Sequence, residues 1–220
     1  MADLLEAMLD LIYRQPGAER ARVVLVGDLI DRGPDSAKVL ARVFHLCRAN
    51  PSRFICLMGN HERMLLDFLA DPVANAPRWL RAGGAETLHS FGLNQRMAGT
   101  DAASRFRAMA AALHAALPEG MLDWLAALPL YWQGDGLSVV HADADPTIAL
   151  SEQDESVLLW GRGRRRSGQG WFVHGHVIVA EPIAEAGRIK VDTGAWRSGR
   201  LSACWLDAQG MQFLQVGPKV

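Results

Sequence analysis

Apolar and polar positions change period several times along the chain. Over residues 2–14, Leu4, Leu5, Met8, Leu9, Leu11 and Ile12 recur at helical spacing, which predicts an amphipathic helix. Pro16-Gly17 breaks that pattern. Residues 22–26 then form a short apolar, β-branched run that ends at Gly27-Asp28. A continuous run of this length predicts a strand buried on both faces. From Pro34 to about Ala49 the period is helical again, and Pro34 suits a first turn, where its missing N–H costs nothing. Residues 53–58 repeat the apolar run and end at Gly59-Asn60, and residues 61–70 return to helix. This α-β-α-β-α rhythm predicts a parallel sheet with crossover helices. Residues 77–128, rich in Ala and Leu with several Gly breaks, predict a helical insertion beside the sheet. After Pro129 the texture is β: short apolar runs stand at 129–133, 136–141, 170–174, 189–192, 200–206 and 211–216.

Composition narrows the class. The 220 residues are 50% hydrophobic and carry a net charge of −1, so the chain is expected to fold as one domain over 1–220 rather than stay disordered. Near-neutral charge argues against a nucleic-acid partner. No apolar run approaches the ~20 residues of a membrane span. Asp3 and Glu6 replace the basic start of a secretory signal. Cys47, Cys56 and Cys204 have no metal-type spacing and read as reduced thiols, so the expected compartment is cytoplasmic.

Candidate chemistry collects where the apolar runs end. The clusters are Gly27-Asp28-Leu29-Ile30-Asp31-Arg32-Gly33-Pro34, Gly59-Asn60-His61-Glu62, His141, and His174-Gly175-His176. In open α/β sheets ligands bind beyond the carboxyl ends of strands, so four such clusters predict one shared site. Asp, Asn and His donors suit Mn²⁺, Fe or Zn²⁺. Arg32 and Arg162 suit bidentate phosphate binding. Metal ligands, arginines and a spare histidine together point to metal-assisted phosphoryl hydrolysis. Each piece also has an ordinary reading. GNHE would serve as a helix start with Asn60 as N-cap, His141 as a bonded core histidine, and Arg164–Arg166 as a solvated face. The set of four, each at a strand end, outweighs these.

These motifs resemble the PPP-type metallophosphoesterases, and among them the short bacterial serine/threonine protein phosphatases. GDLIDRGP at 27–34 pairs with GNHE at 59–62. Leu159-Trp160-Gly161-Arg162 and Val191-Asp192-Thr193-Gly194-Ala195 match later segments, so the resemblance covers nearly the whole chain. It implies a two-sheet α/β/α sandwich with the site at the strand ends between the sheets. It implies hydrolysis of phosphoserine or phosphothreonine in proteins, with phosphotyrosine a further candidate, by attack of a metal-bound hydroxide. Asp28 would bridge two divalent ions, with Mn²⁺ the first choice. Asn60, His141 and His176 would complete the second ion's shell. Arg32 and Arg162 would bind the phosphate, and His61, oriented by Asp31, would protonate the leaving alcohol. Hydrolysis of dinucleoside polyphosphates is the alternative.

The family's opening strand and its GDxHG motif have no counterpart, because residues 1–5 resemble the helix that follows it. The expectation is a missing first strand, through either a start inside a longer protein or a real loss. Two ions are then expected in the longer form and one or none in this chain, with poor turnover. A non-catalytic phosphate-binding role stays as a third reading. Met58, Asp143 and Val177 stand where a basic residue, Gly and Thr are usual, which bears on substrate preference.

Overall fold

The computed structural model describes residues 1–94, 101–134, 136–162 and 171–218. The predicted opening rhythm is present as α1 (Ala2–Tyr13), β1 (Val23–Leu25), α2 (Ser36–Ala49), β2 (Phe54–Cys56) and α3 (Asn60–Ala70), with β1 and β2 parallel. α1 buries Leu5, Met8, Leu9 and Ile12 on one stripe. A helical stretch follows: α4 (Pro72–Trp79), a π-helical turn (Leu80–Gly84), α5 (Ala85–Ser90), α6 (Ala102–Ala116) and α7 (Met121–Ala126). Only Asp71 separates α3 from α4. Its carboxylate caps α4 at the Ala74 N–H, and Phe68 stacks on Trp79 at 4.6 Å. The helical layer therefore begins at Asn60, and α4 opens at Pro72, ahead of the start expected at 77 for the helical insertion.

The second half supplies β3 (Tyr131–Gly134), β4 (Leu137–Val140), a 3₁₀ turn (Leu150–Glu152), α8 (Glu155–Trp160), β5 (Trp171–His174), β6 (Ile183–Glu185), β7 (Arg188–Lys190), α9 (Ala195–Ser198), β8 (Leu201–Asp207) and β9 (Gly210–Val216). Among the described residues a five-stranded sheet has the order β3-β4-β5-β7-β6, parallel at its centre and antiparallel at both edges. Strand β6 has no counterpart in the apolar pattern. It is three residues long, and Ile183 and Glu185 are exposed. It exists because Ala186 and Gly187, both at positive φ, close a tight hairpin onto β7.

Alternation along the strands makes the layers. Val23 and Leu25 of β1 face the helices, whereas Val24 and Val26 pack with Val139, Val173 and Ile189 of the five-stranded sheet. The β8–β9 pair presents the same two faces. Trp205 and Leu214 meet Met8 and Ile12 of α1, and Cys204 and Phe213 meet the sheet. Leu158 of α8 covers the outer face against Val140 and Phe172. The result is the expected α/β/α sandwich. Among the described residues no helix is long and apolar enough to cross a membrane.

Strand β1 departs from its apolar pattern, for all three of its residues are only half-buried. Among the described residues β1 pairs with β2 alone and β8 with β9 alone. A cleft of about 1510 Å³ is lined by residues 23–26 and 201–206, by Met8 and Ile12, and by Val139 and Val173. The candidate site lies in the same cleft.

Candidate metal and phosphate site

Asp28 and Asn60 leave the ends of the parallel pair β1 and β2 on two loops pressed backbone to backbone. A Cβ on Gly27 would lie 2.6 Å from the Gly59 nitrogen, and one on Gly59 would lie 2.4 Å from the Asp28 nitrogen. Only glycine fits at either place. Fully buried Glu62 staples the two loops. Its Oε2 accepts the N–H groups of Asp28 (2.8 Å) and Gly59 (3.0 Å), and its Oε1 accepts that of Leu29 (2.7 Å). Burial and the neighbouring Asp28 push this carboxyl up to about 6, and the backbone donors oppose them. Gly59, not Asn60, is the N-cap of α3. Asn60 heads the helix and carries its amide into the site.

His141 follows β4 and donates from Nδ1 to the Val26 carbonyl at 2.7 Å. That bond leaves Nε2 facing Asn60 Oδ1 at 2.9 Å and Asp28 Oδ1 at 3.4 Å. His176, beyond β5, places Nδ1 2.9 Å from the same Asn60 oxygen. The ligand atoms of Asp28, His141 and His176 all lie within 4.8 Å of one another. With Nδ1 donating to Val26, Nε2 faces Asn60 Oδ1 and Asp28 Oδ1. Imidazole nitrogen with carboxylate and amide oxygen gathered this closely is a donor set that fits a divalent ion. A backbone carbonyl behind a ligating imidazole is also the usual support for such a histidine. Burial, reinforced by His141, holds His176 down at about 4, the neutral and ligating state. Asp28, Asp31, Arg32 and His176 all have positive φ, so backbone strain gathers at this point.

Beside the cluster, His61 Nδ1 lies 2.6 Å from Asp31 Oδ2, and both side chains are buried. Burial alone would lower the imidazole. The Asp31 bond and the charges of Asp28, Asp31 and Glu62 outweigh it and hold His61 above its ordinary value. Thr87 of α5 donates to Asp31 Oδ1 at 2.6 Å and accepts the Asp31 N–H at 2.9 Å. Arg32 donates from Nε to the Ala82 carbonyl at 3.1 Å and lies 5.3 Å from the centre of the Trp196 ring. Arg162 follows α8 across Gly161, while Trp160 sets its ring edge-on to His176 at 6.2 Å. Asp28, Asp31, Arg32, Asn60, His61, His141, Arg162 and His176 all border the one cleft. The basic run Arg164–Arg166 lies outside the described residues.

A family model for calcineurin-like phosphoesterases matches residues 2–199. The chain belongs to that family. Over 202 residues, covering 83% of the chain and 72% of the relative, this phosphoesterase is 25% identical to the asymmetrical bis(5'-nucleosyl)-tetraphosphatase PrpE of Oceanobacillus iheyensis. It is 28% identical to serine/threonine-protein phosphatase 2 of Escherichia coli K12 over 192 residues, 82% of the chain and 77% of the relative. A serine/threonine phosphatase structure from Saccharomyces cerevisiae shares the fold with a TM-score of 0.63 at 14% identity, covering 100% of this chain and 78% of that one. The relatives support the PPP-type resemblance.

Several residues around the candidate site were given no ligand or catalytic role from the sequence. Glu62 is the last letter of GNHE, and its three-residue distance from the Gly59 N-cap was the available cue. Thr87 arrives by tertiary packing of α5 and has no local signature. Asp192 borders the cleft, accepts the Gly194 N–H at 2.8 Å, and is pushed up chiefly by burial and further by Asp28. Asp143 gives its carboxylate to Arg188 and to the Ala144 N–H. Met58 is core.

Proposed function

We propose that this phosphoesterase hydrolyses phosphoserine and phosphothreonine monoesters in proteins, at the cluster of Asp28, Asn60, His141 and His176. Convergence of those four donors beside the His61–Asp31 pair is the observation that carries the reading. The four residues would hold a divalent ion, Mn²⁺ first, with Fe and Zn²⁺ as alternatives. Such an ion supplies Lewis-acid polarisation of a phosphoryl oxygen and lowers the pKa of water.

The chain's own residues do the rest. Arg32, held through Nε, and Arg162 would bind phosphate oxygens and the charge that develops on them. His61 faces Asp31 through Nδ1 and so turns Nε2 away from it. Its raised pKa favours the protonated ring, which would give the Nε2 proton to the departing alkoxide. Asp31, fixed by Thr87, keeps the ring oriented.

One observation favours dinucleoside polyphosphates as a second reading. Trp196 is 44% exposed and lies against Arg32. An exposed indole beside a candidate phosphate ligand suits stacking of a nucleobase. Phosphate release from a phosphoserine peptide and cleavage of diadenosine tetraphosphate, each with Mn²⁺, separate the two. Faster turnover of the peptide supports the first reading and faster turnover of the dinucleotide the second. Saturable phosphate binding without turnover of either would leave a non-catalytic binding role.

A further inference from the structure

Three buried polar side chains outside the proposed machinery form one connected chain. Asp143, Arg188 and His174 are 0%, 6% and 1% exposed. The Arg188 guanidinium donates to Asp143 Oδ1 through Nη2 and approaches His174 Nε2 through Nη1 at 3.3 Å. His174 meets the Gly175 carbonyl through Nδ1 at 3.0 Å. A carbonyl can only accept and a guanidinium can only donate, so the ring is neutral with its proton on Nδ1. Arg188 also lies over Phe172 at 5.4 Å.

A buried ion pair is weak evidence for stability, because desolvation offsets much of the attraction. What this pair does is join three loops of the site. Asp143 lies two residues past His141, and His174 two residues before His176. Gly161, next to Arg162, is packed on Asp143: an added Cβ there would lie 2.4 Å from the Asp143 Cβ. The loops are also tied directly, by Ala142 N–H to the Leu158 carbonyl at 2.9 Å and Gly175 N–H to the His141 carbonyl at 2.9 Å. We infer that Asp143 is a positioning residue. Paired with Arg188, it fixes the seat on which Gly161 rests and so sets Arg162 against the His141 and His176 loops. Arg162 stands exposed after the glycine, and Asp143 is the buried side chain against which that glycine packs.

This inference rests on Arg162 as a phosphate ligand, as proposed above, and the test separates the two. The Asp143→Leu/Arg188→Met double variant replaces the pair with apolar groups, and Asp143→Asn keeps the shape while removing the charge. Melting temperature and affinity for inorganic phosphate are measured for each in the Mn²⁺-loaded protein, with and without Arg162→Ala. The double variant is expected to remain folded at the assay temperature yet bind phosphate about tenfold more weakly, and Arg162→Ala is expected to add little in that background, as for coupled residues. Asp143→Asn moves phosphate affinity in the same direction and serves if the double variant does not fold. Wild-type phosphate affinity in both Asp143 variants, or losses that add fully to those of Arg162→Ala, would overturn the inference. Wild-type phosphate affinity in Arg162→Ala alone would instead overturn the reading of Arg162, and the inference with it.

Discussion

Replacing Glu62 with Gln changes one atom of a buried group and tests how the site loops are held. The carboxylate accepts three backbone N–H groups, two at Oε2 and one at Oε1. A glutamine has one accepting oxygen. Placed at Oε2, it keeps Asp28 and Gly59 and turns its NH₂ toward the Leu29 N–H. Placed at Oε1, it keeps Leu29 and loses the other two. The better rotamer still leaves one buried N–H facing a donor, which costs about 1–3 kcal/mol. For a domain of this size that is about 2–12 °C in melting temperature. Asp28 and Asn60 ride on the two loops, so Mn²⁺ affinity falls with stability. Glu62→Ala strands all three donors and melts lower still. Thermal unfolding by circular dichroism with parallel Mn²⁺ titration reads both effects. A Glu62→Gln protein that melts within 1 °C of wild type and binds Mn²⁺ unchanged would refute the staple.

Three further outcomes follow. Gly83 has φ +120°, and a Cβ there would lie 2.6 Å from the Arg32 nitrogen; Gly83→Ala therefore costs about 1–3 kcal/mol of stability, and calorimetry showing no loss contradicts this contact. Trp196→Ala lowers kcat/KM for diadenosine tetraphosphate about tenfold, by loss of one base stack, and leaves a phosphoserine peptide unaffected if the second substrate reading holds; equal effects on both remove its support. Burial pushes the Cys204 thiol up to about 11, and Cys204 lines the cleft while Cys47 and Cys56 are buried. Native-state alkylation should thus start at Cys204 and speed up about tenfold per pH unit below that value, and mass spectrometry finding Cys47 labelled first would contradict the open cleft.

The convergence of the candidate metal donors was legible in the sequence because each ends an apolar run, and parallel strands deliver such residues to one edge. Pairing of β1 with β2 explains Asp28 and Asn60, and that of β4 with β5 explains His141 and His176. Residues that act through tertiary contact were not legible. Thr87 reaches Asp31 from a helix 56 residues away, and Arg188 is one of two cations in the three-residue strand Arg188-Ile189-Lys190. The half-burial of β1 was equally hidden. A run of valines reports a preference for burial, and only the pairing of neighbouring strands decides how much of it is met.

Equilibrium Mn²⁺ binding by isothermal titration calorimetry, on the wild type and on His141→Ala and His176→Ala, tests the central claim most directly. One saturable site is predicted for the wild type, weakened by a factor of ten or more in each variant, as for loss of a metal ligand. Absence of saturable binding in the wild type, or binding that both variants retain at full strength, would contradict a metal centre at Asp28, Asn60, His141 and His176.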